Sequence, residues 1–473
     1  MRRLRGTFIL ILITVGIAAL LPHVTPAHAQ GTPSWLQVWL IPGENQQLST
    51  IEYRDASGST LAAYTLSMGT FGWTYQGGGR VYGSYMSHVP IFDPTTGRID
   101  LYLPPGKPAD TDQLFYNLAS PVPNPTGQNY AYTVLMQDSQ MSQPSTSWVY
   151  VATPGGFDDN LIFEEDREPF MATVPMGWSA DGTSLLLHDM PQGIGGYILF
   201  WQYQNIRALN LTTNVLTPLG NADGVSGDLS ITARVERGDT GVTGLTVTQI
   251  SSGQVTTYPL PDLGEQPSLG GGAFFSPQNS KVAYQVARGD PENEKFWTLV
   301  LDLTTGQQKV ILEDLSVDFS VRYSNISGWL DDNTLVIGGP WNQQSAIMDA
   351  NSGAVLREDR GSFIGYAQGI TSTQGFAPSG MAYAQCPGAP LSRLTTFGRG
   401  RVTFTDGTLT NVRQSPSTTA EQVGSVPEGA EFSVVGGPDC GEAYTWWYVQ
   451  FDAGMSGYVA EGDFNSYYLE PWP

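Results

Sequence analysis

Apolar and polar positions alternate along this chain in short runs, with almost no helical periodicity. Runs such as Arg80-Val81-Tyr82, 184–187, 281–284 and 334–337 have the length of β-strands. Gly, Asn, Asp, Ser and Pro cluster between them, as tight connections require. Two turn series recur. The first has the form apolar–polar–x–Thr/Ser–Thr/Ser–Gly and falls at residues 53–58, 92–97, 151–156, 209–214, 248–253, 301–306 and 348–353. Its last position is Gly or Asn, which supplies the positive φ of a tight hairpin. The second precedes a strand of small and apolar residues, at 77–79, 125–127, 180–182, 225–227, 277–279, 331–333 and 378–380. The two series interleave, and the half-units at the two ends complement each other. A ring of four-stranded blades explains this, because closure hides strand edges that would otherwise pair with other chains. The repeat spacing of 39 to 59 residues suits one blade per unit. The pattern predicts an all-β chain with a seven-bladed β-propeller, in which residues 36–66 share a blade with the strand around 381–385. A β-sandwich, or six or eight blades, are the alternatives.

The phrase Gly177-Trp178-Ser179-Ala180-Asp181-Gly182, with Phe275-Ser276-Pro277 at the matching place, resembles the Trp-Ser-Pro-Asp-Gly turn of TolB-type (WD-like) propellers. The resemblance spreads over about residues 70–385 and is degenerate. It implies the fold and no particular ligand, since propellers host binding, scaffolding and enzymatic roles alike.

From about Arg399 the texture changes. Leu409-Thr410-Asn411-Val412-Arg413 is followed by Val423-Gly424-Ser425-Val426-Pro427-Glu428-Gly429, then Trp446-Trp447-Tyr448-Val449, Gly457-Tyr458-Val459 and Tyr467-Tyr468-Leu469. This order is similar to that of bacterial SH3-type domains and implies a small C-terminal SH3-like barrel. Tyr458 stands where that pattern has Trp, and an insertion at 437–443 carries Cys440. The resemblance implies either binding of cell-wall peptides or a passive packing role. Strand alternation puts Trp447, Val449 and Phe451 on one face and Trp446, Tyr448 and Gln450 on the other. The first set is the better core. Trp446 and Tyr448, with Tyr467, are then the expected surface aromatics, which offer large apolar area at low entropy cost. The alternative is that they pack on the propeller.

Composition narrows the compartment. Among 473 residues, 22 Lys+Arg stand against 44 Asp+Glu, a formal net charge of −22. That balance disfavours DNA or RNA as a partner, because phosphate binding needs clustered Lys and Arg. Arg2, Arg3 and Arg5, the uncharged apolar run 8–21, and Ala27-His28-Ala29 form a secretory signal, with Gln30 expected to start the mature chain. The apolar run falls short of the ~20 residues that span a bilayer, and no other long apolar stretch follows. An uncleaved anchor is the alternative. The resulting division is 1–29 signal peptide, 30–397 propeller and 398–473 SH3-type domain. Cys386 and Cys440 are the chain's two cysteines. In an exported protein an even pair predicts a disulfide, here one pinning the module to the end of the propeller. Two free buried thiols are the alternative.

Catalytic constellations are not apparent in the sequence. After signal cleavage two histidines remain, His88 and His188, without the spacing of a zinc site. His88 reads as a loop residue and His188 as a structural one. Gly177-Trp178-Ser179-Ala180-Asp181 ends in Asp where a nucleophile elbow needs Gly. Glu164, Glu165, Asp166 and Glu168 crowd one short stretch, read as a solvated turn or weak calcium site before a catalytic pair. No metal and no cofactor is expected. The longest insertions, 138–147, 189–196, 288–295 and 338–345, all fall between second and third strands and so project from one face. Met141, Met190 and Trp341 add apolar surface there, as a binding face requires. The preferred reading is a secreted, non-enzymatic binding or scaffold protein of the cell envelope, whose partner is a cell-wall peptide or another envelope protein. The rival is a secreted hydrolase of glycans or peptides at the propeller face.

Overall fold

The structure, a computed structural model, describes residues 36–43, 48–68, 71–77, 79–84, 88–102, 114–118, 121–138, 144–154, 159–169, 171–179, 181–191, 203–288, 295–315, 325–338, 344–367 and 375–473. The segment expected to be a signal peptide, Met141 and Trp341 lie outside them. Every element among the described residues is a strand. No helix there is long and apolar enough to cross a membrane.

The strands form antiparallel groups of four, taken here from A to G. Group A is Ser362–Ala367, Leu36–Ile41, Thr50–Arg54 and Thr60–Leu66; group B is Phe71–Gly77, Arg80–Ser84, Val89–Asp93 and Arg98–Tyr102. Group C has a divided edge, Leu114–Leu118 and Val122–Pro123, beside Tyr130–Asp138, Ser145–Ala152 and Asn160–Arg167. Group D is Met171–Trp178, Ser184–Pro191, Tyr203–Asn210 and Leu216–Ala222; group E is Gly224–Val225, Ile231–Gly238, Gly241–Gln249 and Val255–Pro259. Group F is Leu269–Phe275, Lys281–Arg288, Lys295–Asp302 and Gln308–Leu315; group G is Asn325–Asp331, Thr334–Gly338, Gln344–Asp349 and Val355–Arg360. Multiple four-stranded sheets of this kind are what a propeller stacks.

The first turn series joins the third and fourth strands of each group. One side chain caps each well-formed copy. Asp302 Oδ1 accepts the N–H groups of Thr304 and Thr305 at 2.9 and 2.8 Å, and Asn210 Oδ1 those of Thr212 and Thr213 at 3.0 and 2.9 Å. Asp55, Asp93 and Asp349 do the same. Gly306 (φ 72°) and Asn214 (φ 55°) then turn through the left-handed region, which Gly and Asn tolerate best.

Cores lie between neighbouring groups. Trp73 and Val81 of B meet Val38 and Tyr53 of A; Tyr82 and Ile91 of B meet Tyr130 and Val134 of C. Trp178 and Leu185 of D meet Val149 of C, and Tyr203 and Ile206 of D meet Val225 of E. Val235 and Leu245 of E pack with Phe275 and Tyr284 of F, and Phe274 of F packs with Trp329 of G. Val336 and Ile347 of G close against Trp39 and Phe363 of A. Two indoles tie neighbours by hydrogen bonds: Trp178 Nε1 donates to Val122 O at 2.8 Å and Trp329 Nε1 to Phe274 O at 3.0 Å.

The closing arrangement differs from the expected one. Group A is completed by Ser362–Ala367, which pairs antiparallel with Leu36–Ile41. The strand Gly380–Gln385 is instead a strap on the outer edge. It runs parallel to Thr60–Leu66 (Tyr64 opposite Gly380) and then parallel to Arg98–Tyr102 (Tyr383 opposite Arg98). The cause is local: the Tyr64 hydroxyl donates to Ala377 O at 2.6 Å, holding the approach to the strap at the rim. The 378–380 turn therefore leads into the strap and not into a second blade strand.

The C-terminal module is a separate sheet, ordered Gln422–Val426, Thr410–Arg413, Ser456–Ala460, Tyr444–Phe451, Glu431–Gly441, Arg399–Val402 and Leu469–Pro471. Its core holds Trp447, Val449, Phe451, Val412 and Phe432.

Candidate functional site

On Tyr444–Phe451 alternation puts Trp447, Val449 and Phe451 inward, at 0 to 2 % exposure. Trp446, Tyr448 and Gln450 share the other face, but Trp446 is only 3 % exposed, so the expectation of a surface indole there is corrected. The loop 415–420 lies against the turn beside it. Glu442 at the hairpin tip accepts from Ser417 Oγ and Thr418 N at 2.8 Å each, drawing that loop to the tip. Trp446 Nε1 donates to Gly441 O at 3.1 Å, with the Tyr444 ring edge-on at 5.9 Å. A Cβ at Gly441 would meet Pro416 O at 2.4 Å, so the loop sits directly on this turn. Tyr448 is open, 36 % exposed, and meets Tyr458 edge-on at 5.1 Å. Tyr467 is half-buried: its hydroxyl donates to Leu391 O at 2.8 Å, and the Arg393 guanidinium covers its ring at 3.6 Å. Met190 is far along the chain from these residues. It packs against Leu135, Ala172 and Val174 between groups C and D.

The junction between strap and module is built around the disulfide. Cys386 and Cys440 are bonded, S–S 2.01 Å, Cα–Cα 5.4 Å. Beside it His88, 2 % exposed, accepts the Cys440 backbone N–H on Nε2 at 3.1 Å. Burial lowers its pKa to about 4, so the ring is neutral as this bond requires. His88 is thus a contact between group B and the module. The segment after Cys386 is held by one carboxylate. Glu461, 1 % exposed, accepts from Ser392 Oγ (2.6 Å), Arg393 N (2.6 Å), Leu394 N (3.3 Å) and Trp447 Nε1 (2.8 Å). Burial outweighs these donors and holds its pKa above the ordinary carboxylate value. Thr396 bridges the two bodies, its N–H donating to Ser67 O at 2.9 Å and its hydroxyl to Gly437 O at 3.1 Å.

The stretch 164–168 is not a solvated turn: Glu164, Glu165 and Asp166 lie on the strand Asn160–Arg167, whose alternation parts them. Glu165 faces group D, where Arg207 Nη1 reaches both its oxygens at 2.9 Å and Arg207 Nη2 reaches Asp189 at 2.9 Å. Arg167 pairs with both acids, and Asn205 donates to Asp189 at 3.0 Å. Two arginines thus neutralise the two carboxylates Glu165 and Asp189, locking C to D, while Glu164, Asp166 and Glu168 stay exposed. His188 is fully buried, as a structural residue should be, with the Tyr203 ring edge-on at 4.8 Å. Among the described residues no group of three or more His, Cys, Asp or Glu is placed to hold a metal ion.

Residues 407–467 match the family described as Bacterial SH3 domain, so the chain carries such a domain. Its solved neighbours include TolB from Acinetobacter baumannii, at 14 % identity and TM-score 0.34, covering 59 % of this chain and 63 % of that one. They also include an oligogalacturonate lyase in complex with manganese, at 14 % and 0.40, covering 69 % and 86 %. A third is the β-propeller domain of Cps50 (Swd1) from Myceliophteria thermophila, at 9 % and 0.35, covering 62 % and 86 %. The chain thus spans less than two thirds of the TolB chain's length. At these identities and TM-scores the likenesses say nothing about activity. No curated protein matches the chain.

Proposed function

We propose that this chain is an exported, non-enzymatic binding or scaffold protein of the cell envelope. Its groups A to G close into a seven-bladed ring, and its SH3 domain is fixed to that ring with one aromatic face left open to a cell-wall peptide. The continuous chain of cores from A through G and back to A supports the ring. The observation that carries the functional reading is the division of the module's two sides. One side is consumed by the disulfide, His88 and the Glu461 clamp, while on the sheet's other face Tyr448 is 36 % exposed and Tyr458 is partly exposed beside it. A tether that only needed flexibility would not require a buried carboxylate with four donors. Aromatic rings on an open sheet face suit stacking on a peptide backbone.

A packing-only reading is favoured by one specific fact: Trp446 and Tyr467 are both covered by the chain itself. Sedimentation of residues 30–473 with purified peptidoglycan separates the two. Binding that Tyr448→Ala removes supports the open face. Absence of binding in the unsubstituted protein supports packing alone.

A further inference from the structure

Register alone sets out the open face of the module. Residues directly opposite on antiparallel strands share a face. Asp439 stands opposite Trp446, and the next row runs Gly436, Tyr448, Tyr458, Arg413. Gly436 contributes no side chain, so the floor beside Tyr448 is bare; a Cβ there would touch only Tyr448 Cβ, at 3.5 Å. Asp439 therefore belongs to the Tyr448–Tyr458 face, in the stretch 437–443 where this chain departs from the SH3 pattern.

Asp439 is 8 % exposed, its carboxylate oxygens still touch solvent, and no hydrogen bond or ion pair reaches them from the described residues. The other buried carboxylates each have at least one donor: Asp93 has Arg80 and Thr95, Asp189 has Arg207, Glu461 has four, and Asp223 has the Val235 N–H on Oδ2 while its Oδ1 has none. A buried carboxylate without a donor is costly, and an arriving cation removes that cost. The neighbouring Arg413 is turned to Ala420 O, at 2.8 Å, and forms no ion pair with Asp439.

Resting on the groove reading above, we propose that Asp439 is the counter-charge of a cation subsite. It takes the primary ammonium of a peptide side chain whose aliphatic stem lies on Tyr448 and Tyr458. The class of cation follows from access. A guanidinium binds a carboxylate through two parallel bonds and needs a broad, open edge. A nearly buried carboxylate offers a narrow approach, which suits a compact ammonium on a flexible stem. Aromatic faces beside it hold the stem and add cation–π attraction. A divalent metal would need more acids than this face holds. Residues 399–473 carry three Arg against ten Asp and Glu, so the surrounding field also favours a cationic ligand.

The test uses residues 30–473 and two dye-labelled peptides, Ala-Gly-Lys-Gly-Ala and the same peptide with Nε-acetyl-lysine, followed by fluorescence anisotropy at neutral pH. The unsubstituted protein should prefer the free amine by at least about tenfold, as a charge-assisted bond implies. In Asp439→Asn, isosteric and checked for native melting, the two affinities should converge. Equal binding of both peptides by the unsubstituted protein overturns the subsite without any variant. If Tyr448→Ala abolishes that equal binding, the groove reading stands while the subsite falls. Preference for the amine retained in Asp439→Asn also overturns the subsite. No binding of either peptide refutes both readings.

Discussion

His88 can accept the Cys440 N–H only through a deprotonated Nε2. Its pKa in the fold is about 4, below the roughly 6.5 of a free imidazole. The unfolded chain therefore binds the proton first. The stabilisation is full above about pH 6.5 and is lost as pH falls towards 4. Asp439 and Asp223 oppose it, because burial raises them to about 6 and about 7 and their neutral forms gain as pH falls. The clean observable is a difference. Between pH 6.5 and 4 the unsubstituted protein should lose stability relative to His88→Gln, which keeps an acceptor and cannot titrate, by at most about 3 kcal/mol. Denaturant melts at several pH values measure this, and a pH-independent gap would sink it. A second residue-scale outcome follows from the turn caps. Asn210 already caps its turn as Asp302 caps its own. Asp302→Asn should be near neutral, and Asp302→Ala should cost on the order of 1 kcal/mol for two lost backbone bonds. Equal loss in the two variants, read by urea unfolding, would contradict the capping account.

The segment 387–398 is an element without regular structure on which the module depends. Leu394 is buried in the module's own core, and three of the four Glu461 donors come from Ser392, Arg393 and Leu394. A module cut at Arg399 leaves that carboxylate buried with the Trp447 indole alone. It should be less stable than one cut at Pro387 by about 3 kcal/mol or more, and paired thermal melts decide it; equal melting would show that Glu461 rehydrates at no cost. No sequence pattern announced this clamp, because Glu461 and Ser392 are brought together by the fold and nothing near either marks it as a partner. The hairpin turns capped by Asp55, Asp93, Asn210, Asp302 and Asp349 were legible, since Asp/Asn caps and positive-φ Gly or Asn are local chemistry. Trp329 and Trp178 make the same kind of bond to the preceding group, although Gly328-Trp329-Leu330-Asp331 lacks the Ser that follows Trp178. Alternation placed Trp446 on the correct side of its strand. It said nothing of the burial of that indole, since burial depends on what other segments do.

At the scale of the molecule the two ends of the blade repeat meet in group A, and the proposed ring depends on that meeting. Residues 36–66 supply three of its four strands, and Ser362–Ala367 supplies the last. Their apolar side chains Val38, Trp39, Ile51, Tyr53, Tyr64 and Leu66 are all at 0 to 1 % exposure, packed against B on one side and G on the other. At about 1.5–3 kcal/mol for each such side chain, their loss is comparable with the ~5–15 kcal/mol net stability of a domain. Deleting residues 30–66 should therefore give insoluble protein, with the edges of Ser362–Ala367 and Gly380–Gln385 left bare. Insolubility alone would not distinguish ring closure from a generic loss of core, and a transplant does. Leu36 lies directly opposite Ala367. Residues 36–66 can therefore follow Ala367 through a two-residue hairpin turn, with a flexible Gly/Ser linker from Leu66 to the segment at 375. In a closed ring the same strands occupy the same place, reached from the other end. The transplant should be soluble and monomeric by light scattering, and should melt cooperatively where the deletion aggregates. A soluble monomeric deletion, or a transplant that aggregates as the deletion does, would mean that group A is not held by pairing between the first and last strands of the blade repeat.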